Sequence, residues 1–266
     1  MDPLTVLITN DDGVASPGLV ALVRAAVGPG RRVVVAAPSR DQSGTSAAVA
    51  PRPAEGAGVE RVTIAGLDEP GFDDLTAFAV DGPPALAVLA ARIGELGPAA
   101  YAATVVASGI NLGPNTGAAV LHSGTVGAAL AAANLGISGL AVSSASMRPA
   151  HFETATVVAA AALNWVAASP AGTVLNVNVP DLPLDRLSGI CAAPLARFGT
   201  VEAVARSRGS EPFTIQLGGR DVEPEAGTDS ALLRAGWVTV TALLGVRADD
   251  RADVAGDIER AISRAA

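Results

Sequence analysis

Apolar residues recur along this chain in two alternating rhythms. Short runs rich in Val, Ile and Leu, at Thr5–Ile8, Arg32–Ala37, Thr104–Ala107, Leu140–Ser143 and Val174–Val179, are predicted to be strands buried on both faces. Between them lie alanine-rich stretches of helical length, predicted as helices over Pro17–Ala26, Pro84–Glu95, Thr125–Asn134 and Glu153–Ala168. Two of the helix starts carry their own punctuation, "SPG" at Ser16–Gly18 and "SGT" at Ser123–Thr125. Strand and helix in alternation is the pattern of βαβ units. The expected fold class is α/β, a Rossmann-like, doubly wound, mostly parallel sheet.

The rhythm changes near Pro180. "PDLPLDRLSG" is rich in proline and aspartate, and residues 182–234 show too little periodic apolar character to build a core of their own. They read as a late, extended, hairpin-like insertion with no strong helix. Beyond them Gly236–Leu244 alternates like a strand, and Asp253–Ala265 reads as a closing amphipathic helix. Beyond the alanine bias there is no repeat or low-complexity segment, so residues 1–266 read as a single domain. That length buries a core without disulfide or zinc staples.

Composition narrows the classes of function. Hydrophobic residues make up 50% of the chain but aromatic residues only 3%, so the core must be built from Ala, Val, Leu and Ile. A net charge of −8, with a pI of about 4.7 and arginine as the sole Lys/Arg type, argues against a nucleic-acid polymer as partner. The arginines of "GRR" (Gly30–Arg32) and "RSR" (Arg206–Arg208) are expected to be solvated charges. Cys191 is alone, which excludes an intrachain disulfide and a cysteine-based zinc site; it is expected to be a small buried hydrophobe. The start "MDPLTV" lacks the basic and apolar regions of a signal peptide. Apolar runs such as Thr156–Ala168 fall short of the roughly 20 residues that span a bilayer. A cytoplasmic protein with no membrane partner is expected.

Three predicted strands end in polar clusters: "TNDDG" at Thr9–Gly13, "PSRDQSGTS" at Pro38–Ser46 and "SGINLGPN" at Ser108–Asn115. In doubly wound sheets ligands bind outside the carboxyl ends of the strands, so clusters distant in sequence can converge there. They offer oxygen ligands: the carboxylates of Asp11 and Asp12, hydroxyls including Ser43, and amides including Asn111. Hard divalent cations take such ligands, and one would relieve the repulsion between adjacent aspartates. Alone, Asp-Asp-Gly reads equally well as a turn capped by its own carboxylates. The helix start in "HSGTVGAAL" (His122–Leu130) suits an anion such as phosphate, although Ser and Gly there are also ordinary capping chemistry. A cation cluster and an anion cradle on one sheet edge together suggest a phosphoester substrate.

Taken in order, "LITNDDGVASPG", "APSRDQSGTS", "FAVDGPPA", "VVASGINLGPNTG", "VLHSGTVGAAL", "LNVNVP" and "GTDSALLRAGWVTVT" resemble the motifs of the SurE family of nucleotidases, from Leu4 to about Leu244. The resemblance implies a metal-dependent phosphomonoesterase that hydrolyses nucleoside monophosphates, a 5'-nucleotidase acting also on 3'-phosphates in some members. It implies one divalent cation per subunit, Mg²⁺ or Mn²⁺ with Ca²⁺ as a third choice, held by Asp11, Asp12, Ser43 and Asn111. Asp11 and Asp12 would be the catalytic residues, with the metal acting as Lewis acid. Phosphate would lie near Ser123, Gly124 and Thr125, with Asn115 assigned to the same substrate site. Subunits would form a homodimer or homotetramer by exchanging the extension at 182–234.

The chain departs from the family pattern at Ala118 and Ala119, which replace an acidic pair, at His122 for tyrosine and at Ala131 for glutamate; Leu86 and Ala87 stand where Asp and Cys are common. Ala118, Ala119 and Ala131 motivate an alternative of a different class, a nucleotide-binding protein of the same fold with reduced or lost turnover. A Rossmann oxidoreductase is disfavoured, since the first strand leads into one early glycine where GxGxxG needs three. His122 and His151 are expected to be non-catalytic.

Overall fold

The computed structural model describes residues 3–50, 56–197, 201–206, 214–219, 223–246 and 254–265. The strands are β1 (Leu4–Thr9), β2 (Arg31–Pro38), β3 (Val59–Val62), β4 (Thr76–Val80), β5 (Val105–Asn111), β6 (Ser138–Ser144), β7 (Val174–Val179), β8 (Gly189–Ala192), β9 (Val201–Arg206), β10 (Thr214–Gly219) and β11 (Trp237–Leu243). The helices are α1 (Pro17–Ala26), α2 (Pro84–Arg92), α3 (Pro98–Tyr101), α4 (Gly124–Asn134), α5 (Phe152–Ala167), α6 (Asp229–Arg234) and α7 (Val254–Ala265).

Nine strands form one sheet in the order β3-β4-β2-β1-β5-β6-β7-β11-β8. From β4 through β7 every neighbouring pair is parallel; β3 and β11 join antiparallel to β4 and β7. The chain steps from β1 to β2 on one side and later to β5 on the other, so the order reverses at β1. That reversal opens a crevice beyond the carboxyl ends of β1 and β5.

Alternation along the strands fills both faces. Val6 and Ile8 join the cluster containing Leu19, Leu22 and Leu163, under α1 and α5, while Leu7 joins Val88, Ala128 and Ala132, under α2 and α4. The near-continuous apolar strand sequences follow from this, since each face is covered by helices.

Both punctuation signals act as read. Ser16 caps α1 by accepting from Leu19 N at 3.2 Å, and Ser123 caps α4 by accepting from Val126 N at 3.1 Å. Gly18 has a further duty, because a Cβ on it would lie 1.9 Å from the carbonyl oxygen of Ile110. Only glycine lets α1 begin that close to β5. The pairing of β5 with β6 is irregular between Ser108 and Asn111, which breaks the regular ladder just where Asn111 leaves the strand.

Several elements differ from the sequence reading. β3, β4, β8 and the short α3 were not expected: β3 is a four-residue edge strand with exposed charges, too brief for a periodicity signal. Within 182–234 the chain forms the antiparallel pair β9–β10 and also a helix the sequence did not announce, the six-residue α6. Cys191 is half-buried on β8 rather than buried, its thiol 3.8 Å from the carbonyl oxygen of Val238. Arg31 is not merely solvated: it donates to the carbonyl of Ala26 at 3.1 Å, near the end of α1, and to Asn164 of α5. Met1, Asp2, Ser207, Arg208 and Asp253 lie outside the described residues. Among the described residues no helix is long and apolar enough to cross a membrane.

Candidate active site

β1 ends at Thr9 and delivers Asn10, Asp11 and Asp12 into the crevice. The turn is held from below: Asn10 is fully buried and donates to the Gly13 carbonyl at 3.1 Å and to Ser16 Oγ at 2.7 Å. Ser16 in turn caps α1, so the aspartate turn and the helix after it are locked as one unit. The loop after β2 docks on the same turn, with Gln42 N donating to the Asp11 carbonyl at 2.7 Å.

Asp11 is buried against the first turn of α4. The Thr125 hydroxyl donates to Asp11 Oδ1 and lies 3.3 Å from Asn111 Oδ1, so residues from β1, β5 and α4 meet at one hydroxyl. Burial pushes the Asp11 carboxyl up from its usual range; the Thr125 hydroxyl and the backbone N–H groups of Asp11, Thr125 and Gly124 oppose that shift. Gly124 sits against the carboxylate so closely that a Cβ on it would lie 2.7 Å from Asp11 Oδ2.

Asp12 is half-buried, and burial together with the neighbouring Asp11 charge pushes its carboxyl up to about 7. A backbone hydrogen bond from Leu112 acts the other way, and Asp41 adds a smaller repulsion. Its Oδ2 is buried with no hydrogen-bond partner, as is Asn10 Oδ1. A buried carboxylate oxygen without a donor is costly, and a cation bound between two adjacent acids would stabilise the ionised forms that burial disfavours. The remaining donors, Asn111 and Ser43, are neutral oxygens, which suits a hard divalent ion. Among the described residues no three His, Cys, Asp or Glu side chains cluster as a conventional metal group, so a cation held here would need neutral oxygens beside the two carboxylates.

The other expected residues are engaged elsewhere or only in part. Ser43 is exposed on the loop after β2, where its hydroxyl and its N–H both donate to Asp41 Oδ1, at 2.6 and 2.8 Å, rather than to the aspartate pair. Asn111 donates to the Gly113 carbonyl at 2.7 Å, which leaves its oxygen facing Thr125. Ser123 uses its hydroxyl to cap α4. Asn115 donates its amide to Ser143 Oγ at 2.9 Å, while its own backbone is gripped by β7: its N–H donates to Asn178 Oδ1 at 2.8 Å and its carbonyl accepts from Asn176 and Asn178 at 2.9 and 3.0 Å. His122 is exposed at the end of the 3₁₀ turn Gly117–His122, and His151 precedes α5 with its ring 3.1 Å from Glu153.

Asn176 and Asn178, which hold the Asn115 backbone, were not among the expected site residues. The signal was in the sequence, since Asn-Val-Asn in a strand puts two amides on one face of an otherwise apolar sheet. A cavity of about 690 Å³ lies at the opposite end of the strands, lined by Val27, Arg32, Phe72 and Leu75 among others, and shares no residue with this cluster.

The family model described as survival protein SurE matches residues 6–202. The chain is 40% identical over 243 residues to the 5'-nucleotidase SurE of Methylococcus capsulatus, covering 90% of each chain. It is 36% identical over 245 residues to the 5'-nucleotidase SurE of Aeromonas hydrophila, covering 90% of this chain and 92% of that one. Among solved structures, the SurE protein from Aquifex aeolicus superposes with a TM-score of 0.72 at 27% identity, over 98% of this chain and 99% of that one.

Proposed function

Because the chain belongs to the survival protein SurE family, we propose that it is a nucleotidase, a divalent-metal-dependent phosphomonoesterase that releases phosphate from nucleoside monophosphates. The observation that carries the metal-dependent reading is the buried, unpartnered Oδ2 of Asp12 beside Asp11, two acids that burial holds above their usual range, Asp12 further by the charge of Asp11. The curated relatives are named as nucleotidases over nine-tenths of the chain, which favours turnover over the binding-only alternative.

Asp11, Asp12 and Asn111 would hold the cation, with Ser43 joining when its hydroxyl turns from Asp41. The bound ion supplies Lewis-acid stabilisation of charge on the phosphoryl oxygens. The chain's own residues do the rest. Thr125 and the first N–H groups of α4 orient Asp11, and the positive end of that helix favours a phosphate near Ser123, Gly124 and Thr125. Asn115, gripped by β7, forms the wall of the same crevice. In this reading the aspartate pair takes a proton from the attacking water. The cation we favour is Mg²⁺ or Mn²⁺, the location cytoplasmic, and the working form a homodimer or homotetramer in which residues 182–234 reach a second subunit.

The test is phosphate release from a panel of 5'- and 3'-nucleoside monophosphates after EDTA treatment and after readdition of Mn²⁺ or Mg²⁺. Activity should vanish and return. Full turnover by protein shown metal-free by elemental analysis would overturn the metal-dependent reading.

A further inference from the structure

We propose that Asp229 is a positioning residue, whose buried carboxylate locks the loop following Asn111 to the late part of the chain and thereby holds the substrate wall of the crevice in place. The role in catalysis rests on the nucleotidase reading; the locking itself does not.

Asp229 opens α6 and is fully buried. Its two oxygens serve different parts of the chain. Oδ2 accepts from Gly117 N at 2.8 Å, across 112 residues of sequence, while Oδ1 accepts from Ala196 N at 2.9 Å and Ser230 N at 2.7 Å. Its own N–H donates to the Pro194 carbonyl at 2.9 Å. The next residue repeats the link, Ser230 Oγ donating to Thr116 Oγ1 at 2.9 Å with both side chains buried.

A buried carboxylate is tolerated only when several donors compensate it, and three backbone N–H groups do so here. Gly117 is the residue on which this matters for chemistry. It begins the 3₁₀ turn to His122, which leads to Ser123 at the start of α4, where the substrate phosphate is proposed to lie. Two residues before Gly117, the Asn115 backbone is gripped by Asn176 and Asn178. The segment Asn115–Gly117 is thus clamped from β7 on one side and from Asp229 and Ser230 on the other. Asp11 and Asp12 stand on a different segment, locked through Asn10 and Ser16, so loss of the Asp229 clamp loosens the substrate wall and spares the carboxylate pair.

Asp229→Asn keeps the shape but gives one position an NH₂ where an N–H needs an acceptor. In the full-length protein, hydrogen exchange of the amides in residues 112–122 should speed up at least about tenfold while β1 amides keep the parental rate. KM for a nucleoside monophosphate should rise about tenfold, with kcat and Mn²⁺ affinity by calorimetry within about threefold of the parent. Val238→Ala, a buried change on β11 that removes none of these hydrogen bonds, supplies the stability control and should leave loop exchange and KM at parental values. If Asp229→Asn does not fold, Ser230→Ala removes the bond to Thr116 and the long 3.5 Å bond to Asp229 Oδ1, keeps the three backbone bonds to Asp229, and should show the same pattern at about threefold. Parental loop exchange and KM in the Asp229 or Ser230 variant, or the same shifts in Val238→Ala, would overturn the proposal. A parent protein inactive on every nucleotide would overturn the nucleotidase reading instead, and the exchange measurement would still decide the clamp.

Discussion

The hydroxyl of Thr125 donates to Asp11 Oδ1, joining the first turn of α4 to the end of β1 across 114 residues of sequence. Thr125→Val keeps the volume and removes the donor, leaving a buried carboxylate oxygen with fewer partners. The metal-free protein should lose about 1–3 kcal/mol of stability, and phosphate release should drop roughly tenfold. Thr125→Ser, which keeps the hydroxyl, should recover most of both. Thermal melts and initial rates on the three proteins check this.

Asp12→Asn removes a negative charge from a group that burial and Asp11 already disfavour as an anion. Phosphate release should fall at least about 100-fold, equivalent to roughly 2.7 kcal/mol of transition-state stabilisation. The melting temperature of the metal-free variant should match or exceed the parent's, while the stabilisation gained on adding Mn²⁺ shrinks. A turn-capping aspartate would behave in reverse, with lower metal-free stability and intact activity.

The same residue gives the metal-free protein a pH signature. Folded Asp12 keeps its proton up to about 7, whereas the unfolded side chain releases it near 3.8, so between those values the folded state binds more protons. Its contribution to stability is present below pH 3.8 and is lost as pH rises through 7. In EDTA, the melting temperature of the parent minus that of Asp12→Asn should therefore decline from about pH 4 to about pH 7. A flat difference would show that Asp12 titrates normally in the fold.

Gly124→Ala places a methyl group 2.7 Å from Asp11 Oδ2, so the carboxylate or the helix must shift. We expect a stability loss of about 1–3 kcal/mol, in the range of other overpacked sites. Activity should fall more than about tenfold, because small displacements of reacting groups are costly. Gly28→Ala is the control, since nothing lies within 4 Å of its would-be Cβ and its backbone is not left-handed. It should stay within about 0.5 kcal/mol of the parent with full activity.

Residues 182–234 carry little periodic apolar sequence, and their β9–β10 pair is a two-stranded sheet, a unit that is marginal alone in water. Contact with a second subunit would cover it. Light scattering at micromolar concentration should give a dimer or larger species, and deletion of 201–219 should shift that mass toward the monomer. A strictly monomeric parent would count against the exchange.

Much of the architecture was legible in local pattern. Six of the strands and all four predicted central helices fall within a few residues of their expected places, because apolar periodicity and the caps at Ser16 and Ser123 are written in neighbouring residues. Elements that lack such a signal escaped: β3 carries Glu60 and Arg61 on an exposed edge, and α6 is shorter than two turns. Asp11, Asp12 and Asn111 could be picked out as oxygen donors at strand ends from residue type alone. Ser43 could be named too, but its present bond to Asp41 could not.

Local residue pattern sets which segments become strand or helix and which side chains bring oxygen chemistry to the sheet edge. Those preferences are set by side-chain shape, period and capping within a few residues. Packing of the whole chain is what puts β1 between β2 and β5, brings Thr125 to Asp11, leaves Asp12 an oxygen without a partner and carries Asp229 to Gly117. Such relations arise when helices pack onto both faces of one sheet and exclude water from its edge. The contacts of Thr125 with Asp11 and of Asp229 with Gly117 join residues more than a hundred positions apart, where no local propensity acts.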